Sequence, residues 1–297
     1  MSLFNGLSAF PITPANEAGM VDTNALKGLL ERLVHARVQS IGLLGSTGTY
    51  AFLSRSERKR AVEAAVTQVA GRTPLIVGVA ALRTSEAIRL AKDAKETGAD
   101  ALLMAPMSYT PLMDEEVYQH YLAVAAATDL PLCIYNNPGT TNFKFSYKLI
   151  ERLAKIETIQ AIKMPLPADG DFKLELATLR ENVPRDFSIG YSGDWGCPRA
   201  MLAGADSWYS VVAGILPEAT LNLADIAASG NEKKIAEIEA IFKPLWVLFQ
   251  EFGSLRVTYT IANLLLLTDA KPPLPILPLG KTEQDHIAAA LEAFNVL

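Results

Sequence analysis

Lys163 closes a short apolar run, Thr158–Met164 (TIQAIKM), just before a turn that carries Pro165 and Pro167. Ile159, Ala161 and Ile162 suit a buried strand. A lysine is costly to bury, because its charged form loses hydration. That cost makes sense where the amine has to be neutral, since a neutral lysine attacks a carbonyl carbon and forms a Schiff base. A strand-end lysine paired with a carboxylate is the other reading of this run. Gly45-Ser46-Thr47-Gly48-Thr49 is a second candidate. A glycine-freed backbone with two adjacent hydroxyls can offer N–H and O–H donors to a carboxylate, or can be an ordinary loop. Tyr135 ends an apolar run before Asn136-Asn137-Pro138. There it could pass a proton between a substrate and a hydroxyl such as Ser46, or be a core tyrosine. Ser192-Gly193-Asp194 and Tyr209-Ser210 also end apolar runs. Asp194 is expected to cap a helix starting at Trp195, with the site as its alternative role. Tyr109 is expected at an interface unless it reaches a neighbour's pocket.

These residues can meet only if the elements that carry them are arranged around one point. The chain repeats a short apolar run followed by an amphipathic stretch. Leu7–Thr13 leads to a helix at Thr23–Ala36, and Ser40–Leu44 to Ser54–Ala70. Leu75–Ala80 leads to Thr84–Thr97, and Ala101–Ala105 to Asp114–Ala127. Leu132–Asn136 leads to Ser146–Lys155, and Ile159–Lys163 to Asp171–Glu181. Phe187–Tyr191 leads to Trp195–Ala203, and Ser207–Val211 to Pro217–Ala228. Ser54 and Glu57 stand in capping-box spacing, and Gly71 and Gly98 are expected to end their helices. The runs are continuous rather than alternating, as in parallel strands covered on both faces. Eight such units in about 228 residues predict a closed (β/α)8 barrel over 1–228 rather than an open doubly wound sheet. The remainder, 229–297, reads as helices at Glu232–Phe252, Leu255–Leu267 and Glu283–Phe294, interrupted by Pro272–Pro278. It is predicted to be a small helical extension. In such a barrel, chemistry belongs at the carboxyl ends of the strands, where every candidate above falls.

Composition excludes several other roles. The chain has 297 residues, net charge −5 and 50% hydrophobic residues, so a large core is expected. No basic cluster suggests nucleic acid, and no apolar run approaches the ~18 residues that span a bilayer. The first ten residues lack a charged, signal-like pattern, and a cytoplasmic location is expected. Cys133 and Cys197 belong to no CxxC pair, and Cys133 reads as a core thiol. His35, His120 and His286 are isolated, so no metal site is expected.

Taken together, the motifs resemble those of the dihydrodipicolinate synthase / N-acetylneuraminate lyase family of pyruvate-dependent class I aldolases. The resemblance runs through Gly6…Ala9 to Thr13-Pro14, Gly45-Ser46-Thr47-Gly48 with Leu53, Tyr135-Asn136-x-Pro138, Ile162-Lys163 and Leu202-Ala203-Gly204-Ala205-Asp206. It implies that Lys163 forms the Schiff base, Tyr135 relays protons and Ser46 is the relay hydroxyl. It also implies that Thr47, with the loop backbone at Gly48, holds the carboxylate of a 2-oxo acid. Tyr209 falls where a backbone carbonyl faces the lysine. The covalent imine to Lys163 would replace any cofactor, and the assembly would be a homotetramer or dimer.

The chain departs from the family pattern at the second substrate. Thr140 stands where the synthases of the lysine pathway carry an arginine, and Thr49 stands where the family has a glutamate. Pro165 occupies the position of a threonine in the sialic acid lyases. Met107 and Ser108 replace two interfacial tyrosines, with Tyr109 one position beyond. The expectation is therefore a Schiff-base lyase, aldolase or dehydratase, acting on pyruvate or another 2-oxo acid such as a 2-keto-3-deoxy sugar acid. The alternatives are a 4-hydroxy-tetrahydrodipicolinate synthase and a non-catalytic sugar-acid binding protein.

Overall fold

The computed structural model describes residues 3–296; residues 1, 2 and 297 of the ranges above lie outside it. Eight parallel strands form a closed barrel in sequence order, with β1 hydrogen-bonded to both β2 and β8. The elements are β1 Gly6–Ala9, α1 Thr23–Ala36, β2 Ser40–Leu43, α2 Arg55–Val69, β3 Leu75–Gly78, α3 Thr84–Thr97, β4 Ala101–Met104 and α4 Asp114–Ala125. They continue as β5 Leu132–Tyr135, α5 Pro138–Thr141, α6 Tyr147–Ala154, β6 Ile159–Pro165, α7 Phe172–Asn182, β7 Ser188–Ser192, α8 Cys197–Leu202, β8 Ser207–Ser210 and α9 Pro217–Ala228. After them come α10 Glu232–Phe252, α11 Ser254–Leu264 and α12 Lys281–Glu292. Among the described residues, no helix is long and apolar enough to cross a membrane.

Register sorts the strand residues into two faces. Ser8 pairs with Ser40 and Tyr209, Tyr135 pairs with Lys163, and Lys163 pairs with Gly190. Paired residues share a face, so small and polar residues gather inside with Lys163. Leu7, Ile41, Leu75, Leu102, Ile134, Ile162 and Trp208 take the other parity, and all are buried. They meet the apolar stripes of the helices, such as Leu26, Leu29, Leu30 and Leu33 of α1.

Several expected boundaries shift. β1 stops at Ala9, because Pro11 and Pro14 have no N–H to continue a ladder. β6 runs two residues past Lys163, pairing Met164 and Pro165 with Tyr191 and Ser192. Lys163 is therefore not the last residue of its strand. At α2 the Ser54 hydroxyl caps the Glu57 N–H, but the Glu57 carboxylate accepts from Val21 N–H at 2.7 Å instead of closing the box. Ala70, at φ 49°, takes the left-handed end of α2 ahead of Gly71, whereas Gly98 ends α3 as expected. The short helix α5 was not expected.

The last three helices pack together and onto α9. Phe242 stacks on Trp246 at 4.9 Å and meets the edge of Phe294 at 4.7 Å. The Tyr259 hydroxyl of α11 donates to the Thr13 carbonyl at 3.3 Å, tying this region to the loop after β1.

Candidate active site

Lys163 is 3% exposed and lies inside the barrel. Its Nζ is 4.0 Å from the centroid of Phe10, 4.3 Å from that of Tyr135 and 5.8 Å from that of Tyr209. Among the described residues no carboxylate lies within 4.0 Å of it, which removes the ion-pair reading. The amine is thus walled by aromatic faces and free to bond to carbon. Glycines make that wall possible. A Cβ on Gly42 would come 2.2 Å from Phe10 Cζ, and one on Gly190 would come 2.6 Å from Tyr209 Cε2. Phe10 carried no sequence signal of its own; the glycines that admit its ring were the available clue.

Tyr135 stands beside Lys163 because β5 and β6 pair in that register. Its hydroxyl accepts from Asn137 Nδ2 at 2.8 Å and faces Ser46 Oγ at 3.4 Å. With one lone pair taken by the amide, its proton is left to point at Ser46 or at a substrate. The Ser46 contact joins the loop after β2 to the end of β5 across 89 positions. The sequence marks Asn137 only as part of the turn after Tyr135. Its amide supplies the donor that orients the phenol.

Thr47 is buried, and no described residue hydrogen-bonds its side chain. Gly48 packs its backbone tightly, since a Cβ there would be 3.0 Å from Leu44 Cα. Tyr209 is buried, with its hydroxyl 3.5 Å from Cys133 Sγ. Burial pushes the Cys133 thiol up to about 12, so it stays protonated and inert at neutral pH.

Asp194 requires a correction. α8 begins at Cys197 with Gly196 before it, and no side chain caps it. The Asp194 carboxylate is instead buried. It accepts from Trp208 Nε1 at 2.9 Å, Ser210 Oγ at 2.7 Å, Val211 N–H at 3.2 Å and Val212 N–H at 3.3 Å. Burial raises its pKa against these hydrogen bonds. Four internal donors make it a brace between the ends of β7 and β8 and leave little of it for a substrate. Tyr109, 96% exposed, stands away from the amine in this chain. Thr140 is likewise exposed on α5, its hydroxyl 3.3 Å from the Asn137 carbonyl.

A buried strand amine, an adjacent oriented phenol and a hydroxyl loop on a closed parallel barrel decide the comparison. The profile of the Dihydrodipicolinate synthetase family matches residues 3–294. The chain belongs to that family. It is an aldolase-type lyase of class I, which sets aside the non-catalytic binding protein. It is 32% identical over 288 residues to a 4-hydroxy-tetrahydrodipicolinate synthase of Alcanivorax borkumensis, covering 96% of each chain. It is 35% identical over 286 residues to one of Leptothrix cholodnii, covering 95% of this chain and 94% of that one. The crystal structure of dihydrodipicolinate synthase from Agrobacterium tumefaciens str. C58 matches with a TM-score of 0.97 and 59% identity, over 98% of both chains.

Proposed function

We propose that this chain, with a catalytic barrel over 1–228 and a helical extension over 229–297, joins Lys163 Nζ to the C2 carbonyl of pyruvate or a related 2-oxo acid. Water leaves and an iminium forms. Loss of a C3 proton then gives an enamine, whose C3 attacks an aldehyde; the reverse sequence cleaves a carbon–carbon bond. Tyr135 and Ser46 move the protons. Thr47 and the Gly48 backbone hold the carboxylate, and the Tyr209 ring and backbone line the pocket. The imine replaces any cofactor. A homotetramer or dimer in the cytoplasm is the setting we assign, with Tyr109 at a subunit contact.

The observation that carries this reading is the buried Lys163 amine, 4.3 Å from the ring of Tyr135 and without an ion pair. The relatives' names favour 4-hydroxy-tetrahydrodipicolinate synthase activity, with aspartate semialdehyde as the first acceptor to test. The neutral, exposed Thr140 favours a second reading, in which the acceptor or product is an uncharged-end sugar acid, such as a 2-keto-3-deoxy acid.

Borohydride reduction in the presence of pyruvate tests the shared step. A stable adduct should map to Lys163 and to no other lysine, and Lys163→Ala should abolish it. Label on another lysine, or none, would sink the mechanism. Steady-state assays with the semialdehyde and with a panel of sugar acids separate the two acceptors.

A further inference from the structure

Asn137 joins the end of β5 to α5, and its backbone and side chain have separate partners. Its carbonyl accepts from the Thr140 and Thr141 N–H groups at 3.0 Å, which starts α5 in the ordinary way. An asparagine at that position usually turns its side chain onto the first N–H groups of its own helix. Here no side chain caps α5. The Asn137 amide turns back over the strand end instead, and its Nδ2 donates to the Tyr135 hydroxyl oxygen at 2.8 Å. A local preference that would stabilise α5 is given up for one contact to the phenol beside Lys163.

Among the described residues, the other hydrogen-bond partner of that oxygen is Ser46 Oγ, at the longer distance of 3.4 Å. Neighbouring phenols are committed elsewhere. The Tyr121 hydroxyl donates to the Met104 carbonyl, and that of Tyr209 lies 3.5 Å from Cys133 Sγ. Tyr135 is only 7% exposed, so bulk water cannot surround its oxygen. Charge placed on a buried oxygen is costly unless a donor faces it. An N–H donor holds an ionised oxygen roughly twice as strongly as a neutral one. An amide already aimed at the oxygen needs no rearrangement when that charge develops.

We infer that Asn137 is the positioning residue of the relay, orienting the Tyr135 hydroxyl and stabilising the phenolate that Tyr135 becomes between giving up a proton and recovering one. This rests on the imine reading above. The amine first adds to the C2 carbonyl to give a carbinolamine. The Tyr135 O–H bond then breaks, and its proton goes to the carbinolamine hydroxyl. The C2–O bond breaks, water leaves with that electron pair, and the nitrogen lone pair forms the C2=N bond. Tyr135 is left as a phenolate facing the Asn137 amide. It next takes the C3 proton; the C3–H pair forms the C2=C3 bond, and the iminium π pair moves onto nitrogen. The phenol is restored, so the cycle needs no oxidant and no further reactant. Asn137 acts throughout by way of Tyr135.

The test needs pyruvate alone. Deuterium exchange into the pyruvate methyl group, followed by proton NMR in D2O, reports enamine formation without any acceptor. Asn137→Leu keeps the approximate shape and removes the donor. Its kcat for exchange should fall by about 10- to 100-fold, while KM for pyruvate stays near wild type and borohydride still labels Lys163 to completion. Replacing Tyr135 by 3,5-difluorotyrosine makes the phenol more acidic and so supplies by chemistry what the amide supplies by hydrogen bonding. In the Asn137→Leu background it should recover most of the lost rate, and in the wild-type background it should change the rate little. Wild-type kcat in Asn137→Leu, or a loss that difluorotyrosine does not recover, overturns the inference. Asn137→Asp decides the matter if Asn137→Leu does not fold: it keeps the volume, lacks the donor, and should show the same loss and the same recovery. Absence of label in the wild type would instead defeat the imine reading, and this inference with it.

Discussion

Lys163 and Tyr135 stand side by side on adjacent strands, both more than nine-tenths buried, whereas Thr140 and Tyr109 sit exposed on the connections that follow β5 and β4. The two regions face different demands. On the imine reading, the first region has to hold an amine and a phenol within a fraction of an ångström, and a closed sheet does that through register. The region around α5 and the loop after β4 has only to present side chains to a second substrate or a second subunit. Loops change such side chains without disturbing the core. The departures that the resemblance implies spare Tyr135 and Lys163: Thr140, Thr49, Met107 and Ser108 lie on connections, and Pro165 is the last residue of β6. On the proposed function, the reaction is tied to the strands and the choice of acceptor chiefly to the connections.

The largest effect that would break this division comes from Tyr135→Phe. Imine trapping at Lys163 should persist, while turnover falls by about 10²–10⁴-fold, as expected when a proton relay is removed. Wild-type turnover would make Tyr135 a packing residue and leave the buried region without its relay. Thr140→Arg probes the exposed region. It would supply the charge-assisted contact that the resemblance implies, worth roughly 2–3 kcal/mol, so the specificity constant for aspartate semialdehyde should rise by about 30- to 150-fold, with pyruvate trapping unaltered. No gain would show that Thr49 and Pro165 also set the acceptor.

Asp194→Ala asks whether that carboxylate belongs to the site or to the scaffold. Losing the acceptor for four donors, three of them fully buried, should lower stability by about 2–4 kcal/mol, read from denaturant unfolding. KM for pyruvate in the folded fraction should stay near wild type; a large rise would return Asp194 to substrate binding.

The smallest effect lies between α2 and α3, away from both regions. Arg55 donates to both Asp93 oxygens, at 2.6 and 2.8 Å, and this pairing holds the Asp93 carboxyl below its ordinary value. A lowered folded-state pKa contributes stability above the unfolded value, near 4, and that contribution is lost as pH falls through the folded value. Arg55 is half exposed, so solvent screening keeps this contribution small. The Tm difference between wild type and Asp93→Asn should be constant from pH 7 to about 5 and shrink below about 4. Trapping and acceptor choice should not change.

Much of this architecture is local and was legible in the chain. Helices α1, α3, α9 and α10 have the bounds their periodicity and punctuation predict. Apolar period, caps and breakers act within a few residues, so a linear reading can find them. The count of strand–helix units implied closure, and closure implied that Lys163, Tyr135 and Ser46 would face one space. What the sequence could not specify depends on groups distant along the chain. Phe10 reaches Lys163 only because Gly42 leaves room for its ring. Asp194 is drawn from the expected cap by donors on and after β8, at Trp208, Ser210, Val211 and Val212, a choice local propensity cannot register. The extra residues of β6 exist because β7 offers Tyr191 and Ser192 as partners. Residue chemistry and periodicity are written along the chain. Which groups meet across the barrel is decided by strand register and by which side chains the close-packed interior leaves room for.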